Sequence, residues 1–206
     1  MSGRSEPPLP VVVEERGALA VLRLERPEQR NSLSVATLSN LDAAFSSLST
    51  RDDINAVIFT GTGDVFASGA DIRELQTLNP DTARAFADRG QRLFQRIAAA
   101  RQLTVAAVNG YCMGGGLDLA LACRVRVASP AAVFAHPGAR LGIITGWGGT
   151  QRLARLVGTA RALGMFLTAR RVGAAEAKAI GLVEEVGDPV LELARETALR
   201  LTERAG

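Results

Sequence analysis

Lysine is almost absent from this 206-residue chain: Lys178 is the only one, and arginine supplies the rest of its 24 basic side chains. A Walker-type phosphate loop needs a lysine beside its glycines. Lys178 sits in an alanine-rich helical stretch instead, which excludes that chemistry. Histidine occurs once, as His136, and cysteine twice, as Cys112 and Cys123. Without a CxxC spacing the chain cannot furnish a structural zinc site, and two cysteines make no disulfide framework. The expectation is no metal site and two buried, reduced thiols in a cytoplasmic protein. Aromatics are only 4% of the residues, too few for a series of base-stacking platforms. The arginines are dispersed at a net charge of +3, so nucleic acid is not the expected partner, whereas a small anionic ligand suits this balance. No apolar run nears the roughly 20 residues of a membrane span. The opening "MSGRSEPPLP" lacks the apolar core of a signal peptide. No membrane association is expected.

What the chain does have is a 47% hydrophobic content with 22% charged residues, the balance of one soluble domain with a substantial core. Short apolar strands alternate with amphipathic helices. "VVVEE" and "ALAVLRL" read as strands paired around Arg16-Gly17, and "SVATLSNLDAAFSSL" as a helix with Ser34 as its N-cap. "NAVIFTG" reads as a buried strand, and "NPDTARAFADRGQRLFQRIAAAR" as a long helix entered through Pro80 with Asp81 as cap. "LTVAAVNG", "RVRVAS" and "AVFAH" are further strands. Helices dominate from "GGTQRLARLVG" to "VLELARETALRLTERAG", and a strand–strand–helix unit recurs weakly. Parallel strands with helical crossovers make the class α/β, with residues 1–206 as a single domain.

The stretch "NGYCMGGGLDLALAC" places Gly114, Gly115 and Gly116 between a strand and a helix, with Asp118 in the first helical turn. The first amides of a helix have no internal partner and lie at the positive end of its dipole. Without a Cβ, a ligand oxygen can approach such an amide closely, as in an oxyanion hole, and Asp118 beside it can hold a water or move a proton. Tight strand-to-helix packing, with an acid suited to the dipole, explains the same residues. A second strand-to-helix passage, "GTGDVFASGADIREL", repeats the design through Ser68, Gly69, Ala70 and Asp71.

With "FASGADI" followed some forty residues later by "NGYCMGGGLDLALAC", the chain resembles the enoyl-CoA hydratase/isomerase, or crotonase, superfamily. "RPEQRNSL", "FAHPGARLGI" and "GWGGTQRL" agree in order and spacing, and the likeness runs from the first strands to about "AIGLVEEV". The resemblance implies a spiral of strand–strand–helix (ββα) turns over about residues 1–186. Residues 187–206 would begin a helical C-terminal part, which in the family covers the active site and builds a homotrimer or a dimer of trimers. It implies an acyl-CoA thioester as substrate, an enolate-like intermediate, and no cofactor beyond the coenzyme A of the substrate. The oxyanion-hole amides match Ala70 and Gly115. Ser68, Asp71 and Ile72 match the segment flanking the adenine and pantetheine. Arg30 and Ser32 lie in the early loop that borders coenzyme A, where a guanidinium suits phosphate oxygens.

Hydratases of this family use two acids. Asp118 fills the first slot, one methylene shorter than the usual glutamate. In the second, the "F-x-x-P-E" pattern reads "FAHPG", so Gly138 stands where the glutamate belongs. If this segment is extended, His136 faces the same side as Gly138, and an unperturbed pKa near 6.5 suits acid–base work. A lone histidine hydrogen-bonded in a strand-to-loop corner is the plainer alternative. With one of the two usual acids, weak hydration of simple straight-chain enoyl-CoAs is expected, the vacated space admitting a bulkier acyl group or a water held by His136. Gly138→Glu is expected to raise hydration unless the glycine serves a positive φ angle. Enoyl-CoA hydratase is the leading reading. A non-catalytic acyl-CoA-binding member, or another reaction of the family such as decarboxylation, stays open. A Ser68–His136–Asp118 hydrolase is disfavoured because "FASGAD" lacks the G-x-S-x-G elbow, and "GTGDVF" lacks the third glycine of a dinucleotide loop.

Overall fold

A computed structural model describes residues 9–203. The leader-free start read into residues 1–8 lies outside them, as do residues 204–206 of the expected last helix. Strands β1 (Val11–Arg16) and β2 (Leu19–Leu24) pair antiparallel around Gly17. Helix α1 (Val35–Ser49) follows, capped by Ser34, whose hydroxyl accepts from the Thr37 amide. Strand–strand–helix units come next. The first holds β3 (Ala56–Gly61), β4 (Val65–Ala67), α2 (Ile72–Leu75) and α3 (Pro80–Ala98). The second holds β5 (Leu103–Val108), β6 (Tyr111–Met113) and α4 (Gly115–Ala122). The third holds β7 (Val125–Ala128), β8 (Val133–Ala135), a 3-10 turn over Pro137–Leu141, α5 (Gly149–Val157) and α6 (Thr159–Thr168). Then come β9 (Val172–Gly173), α7 (Ala174–Ala179), β10 (Glu185–Val186) and α8 (Val190–Glu203).

In each unit the first strand joins a six-stranded sheet, ordered β1-β2-β3-β5-β7-β10, and the second joins a four-stranded sheet, ordered β4-β6-β8-β9. The chain therefore coils, laying each pair of strands beside the pair before it. This is the expected ββα spiral. Its turns pack so closely that a Cβ on Gly110, between β5 and β6, would sit 1.9 Å from the Asp64 carbonyl oxygen of the preceding turn.

β3 and β5 are buried along their whole length, as parallel strands covered on both faces must be. The inner face packs Phe59 and Val57 against Phe45 of α1 and Leu93 and Phe94 of α3. On the outer face, Val190, Ala194 and Ala198 of α8 cover Val21, Ile58 and Val105. One cap differs from expectation. Asn79, not Asp81, caps α3: its side chain accepts from the amides of Asp81 and Thr82, and the Thr82 hydroxyl accepts from the Asn79 amide. Pro80 takes the first helical position, where a missing N–H costs nothing, and that moves the cap one residue before it.

Candidate active site

β4 and β6 are parallel neighbours, with Val65 opposite Tyr111 and Ala67 opposite Cys112. Beyond their ends the chain turns through Gly69 at φ +96° and Gly114 at φ +51°, a region that favours glycine. The two turns face each other. A Cβ on Gly69 would lie 3.2 Å from the Gly115 amide nitrogen, and one on Gly115 would lie 3.5 Å from the Ala70 nitrogen. Ser68, Ala70, Ile72 and Gly115 line one cavity of about 480 Å³, together with His136 and Gly138. Two backbone amides at one apolar wall are donors of the kind that hold a developing negative oxygen.

The loop of residues 30–33 runs along the first turn. The Ser68 amide donates to the Arg30 carbonyl at 3.1 Å, and the Leu33 amide to the Gly69 carbonyl at 2.8 Å. Arg30 and Asn31 both adopt positive φ. Asn31, which sequence reading passed over, secures this strained pair: its side-chain amide donates to the Thr62 and Val65 carbonyls, and its oxygen accepts from the Arg26 amide. Arg30 stands over the Tyr111 ring at 5.4 Å, outside the cavity wall. Ser32 is buried, and its hydroxyl has no partner among the described residues. Asp71 caps α2 and pairs with Arg73, whose guanidinium holds its carboxyl below the usual range.

Asp118 projects from the first turn of α4 and is fully buried. It lies behind the cavity wall rather than on it. The Thr145 hydroxyl donates to its Oδ2, and Thr145 itself lines the cavity. Burial pushes the Asp118 carboxyl up to about 7, against the pull of Thr145, the Trp147 and Gly149 amides, and the charge of Arg152. A Cβ on Gly149 would fall 1.9 Å from Asp118 Oδ1, so glycine there makes room for the carboxylate. His136 Nε2 stands 3.6 Å from that oxygen. Among the described residues neither ring nitrogen of His136 has a hydrogen-bond partner, and the ring lies against Phe166 with centroids 4.7 Å apart. Burial lowers its pKa to about 4. The described residues offer no partner for a hydrogen-bonded corner histidine, and burial, with the lowered pKa, keeps the imidazole neutral at pH 7.

The sequence matches the enoyl-CoA hydratase/isomerase family over residues 14–205. The chain belongs to that family. It is 38% identical over 198 residues to the short-chain-enoyl-CoA hydratase of Clostridium acetobutylicum, covering 95% of this chain and 76% of that protein. It is 41% identical over 180 residues to the crotonyl-CoA hydratase of Syntrophomonas wolfei, covering 87% and 69%. The crystal structure of enoyl-CoA hydratase from Bacillus anthracis superimposes with a TM-score of 0.86 at 36% identity, covering 95% of this chain and 76% of that one.

Against the family pattern, Gly138 borders the cavity, but the direction a side chain would leave it is blocked. A Cβ on Gly138 would lie 2.5 Å from the Ile143 carbonyl oxygen, and the Ile143 amide donates to the Gly138 carbonyl at 3.0 Å. Gly138 has no positive φ, so close approach of its own loop, not backbone conformation, accounts for the glycine. The segment is also not extended. Pro137 starts a 3-10 turn with His136 as its N-cap, because a proline ring fixes φ and suits a first helical position. His136 and Gly138 still reach the same cavity, by that bend. In this family member the residues that sequence reading missed are Thr145 and Trp147. Thr145 lies 27 positions from Asp118 in the chain, and no local pattern joins them. The one usable signal was that the chain's only tryptophan sits in a glycine-rich loop.

Proposed function

We propose that this protein is an enoyl-CoA hydratase, adding water across the double bond of a 2-enoyl-CoA thioester. The observation that carries the reading is the meeting of the Ala70 and Gly115 turns at one apolar cavity with Thr145 and His136 in its wall. In this reading the two amides hold the thioester oxygen as it becomes an enolate, a term worth roughly 3 kcal/mol per donor. One carboxyl then serves both proton transfers. His136, neutral, holds the attacking water. As the water oxygen bonds to Cβ, its proton passes to Thr145 Oγ1 while Thr145 gives its own proton to Asp118. The resulting acid returns a proton by the same route to Cα, which leaves Asp118 ionised as at the start. A group titrating near neutrality suits this double duty. No cofactor is needed beyond the coenzyme A of the substrate. Ser68, Ile72, Arg30, Ser32 and Asp71 belong to the coenzyme side of the proposal, and the hydrogen bonds tying residues 30–33 to the turn support that placement.

A trimer or a dimer of trimers, and a cytoplasmic setting, complete the proposal. The exposed apolar side chains Leu163 and Leu167 of α6 support association, and the buried free thiols Cys112 and Cys123 support a reducing compartment. Among the described residues no helix is long and apolar enough to cross a membrane. Loss of the conjugated-thioester absorbance of crotonyl-CoA on mixing with the protein tests the central claim. Binding without turnover of any enoyl-CoA would instead favour a non-catalytic acyl-CoA-binding protein.

A further inference from the structure

Trp147 is 4% exposed and fits where it does because two glycines make way for it. A Cβ on Gly115 would meet its six-membered ring at 2.4 Å, and a Cβ on Gly90 of α3 would meet its five-membered ring at 2.5 Å. Phe86 packs on the indole at a centroid distance of 5.3 Å, and Phe94 meets it edge-on at 5.6 Å. The ring is thus clamped between α3 and α4, directly beside the amide of Gly115. With Thr145 and Gly146, Trp147 forms a wall shared by two spaces: the cavity of about 480 Å³ and a groove of about 1080 Å³ between α1, α3 and α5.

The cavity has a clear outside and inside. Ile72, Leu141, Ile143, Ile144 and Leu167 line the cavity and are exposed; they mark the mouth, the end that suits a large polar coenzyme. Phe86 and Trp147 are buried and close the other end. An acyl chain whose carbonyl oxygen sits at Gly115 runs inward and meets the indole within a few bonds. We infer that Trp147 is the end wall of the acyl channel and restricts this protein to short acyl chains. The inference rests on the thioester reading of the site and adds the substrate class to it. Replacing the indole with a methyl group would join the cavity to the groove and give a longer chain somewhere to go.

The test measures kcat/KM for trans-2-enoyl-CoAs of four to twelve carbons, and dissociation constants for the saturated acyl-CoAs by calorimetry, with the native protein, Trp147→Ala and Trp147→Leu. A hydrophobic pocket discriminates about tenfold or more per misfitting methylene. The native protein should therefore lose at least roughly tenfold in both readouts between four and eight carbons. Trp147→Ala should raise the ten-carbon to four-carbon ratio by at least the same factor, and Trp147→Leu by less. A flat native profile overturns the inference, as does an unchanged ratio in a folded Trp147→Leu or Trp147→Ala protein. If neither variant folds, the native profile decides. The binding arm separates the two claims: chain-length discrimination without hydration sinks the hydratase reading and keeps the wall, whereas hydration with a flat profile does the reverse.

Discussion

Asp118 Oδ1 and His136 Nε2 stand 3.6 Å apart, and burial moves the two side chains toward their neutral forms from opposite directions. The carboxyl rises to about 7 and the imidazole falls to about 4. Near pH 7 the pair therefore carries at most one negative charge, and nothing at the site compels it to be an ion pair.

Stability should show this as two cancelling slopes. Between pH 4 and 7 the folded protein holds an Asp118 proton that the unfolded chain has released, so this group's contribution falls as pH rises. Between about 4 and 6.5 the unfolded chain holds a His136 proton that the folded one excludes, so this contribution rises with pH. Asp118→Asn should expose the second slope, about 1.4 kcal/mol per pH unit at its steepest. His136→Gln should expose the first, with the opposite sign. Urea unfolding across that window reads both, and equal slopes in all three proteins would show that neither group is shifted.

Asp118→Asn keeps the shape of the side chain and removes its proton chemistry. Crotonyl-CoA turnover should fall by roughly 100-fold or more, with butyryl-CoA binding little changed. In the native protein the rate should rise with pH through about 7, as Asp118 ionises. Undiminished turnover in the variant would leave Asp118 with only its place near the helix dipole.

Thr145→Val preserves volume and deletes the hydroxyl between Asp118 and the cavity. Rates should drop by roughly tenfold or more, within the range of acid–base contributions. The midpoint of the pH–rate profile should also move up, because the hydrogen bond that lowers the Asp118 pKa is gone. His136, Arg152 and Cys112 also face that carboxyl and are unchanged in the variant. Thr145→Ser should restore both readouts. A rate loss without movement of the midpoint would reduce Thr145 to a packing residue.

Gly138→Glu would reinstate the missing acid by sequence, yet it should give no hydratase gain. Its Cβ would enter the space of the Ile143 carbonyl at 2.5 Å, and overpacking of this kind costs about 1–3 kcal/mol. A lower thermal midpoint with unchanged or reduced turnover is the expected result. A stable variant with faster crotonyl-CoA hydration would show that the loop yields easily.

The elements around the site could be read from the chain because their signals are local. Ser34 precedes an apolar period of helical spacing, and Gly69 and Gly114 mark turns that few other residues can make. The proposed acid–base apparatus could not be read in the same way. Asp118 meets Thr145 only after β7, β8 and the loop before α5 have folded over it, and the burial that reverses its charge preference exists only then. The room expected for a side chain at Gly138 could not be read either, since Ile143, whose carbonyl blocks it, is brought there by a proline-initiated bend and not by the register of a strand.

The pairing of β4 with β6 carries a consequence for what this scaffold can become. Ala70 and Gly115 each follow a strand of the same parallel pair, so the two turns start side by side, at roughly the 4.8 Å spacing of neighbouring strands. Backbone hydrogen bonding between the strands sets that interval, and Gly69 and Gly114 keep the two turns close enough to preserve it. Drift in sequence can rewrite which proton moves and how long a chain fits, through Thr145, His136 and Trp147. In the proposed reading, the two amides that would hold the thioester oxygen keep their places for as long as these strands and their glycine turns do.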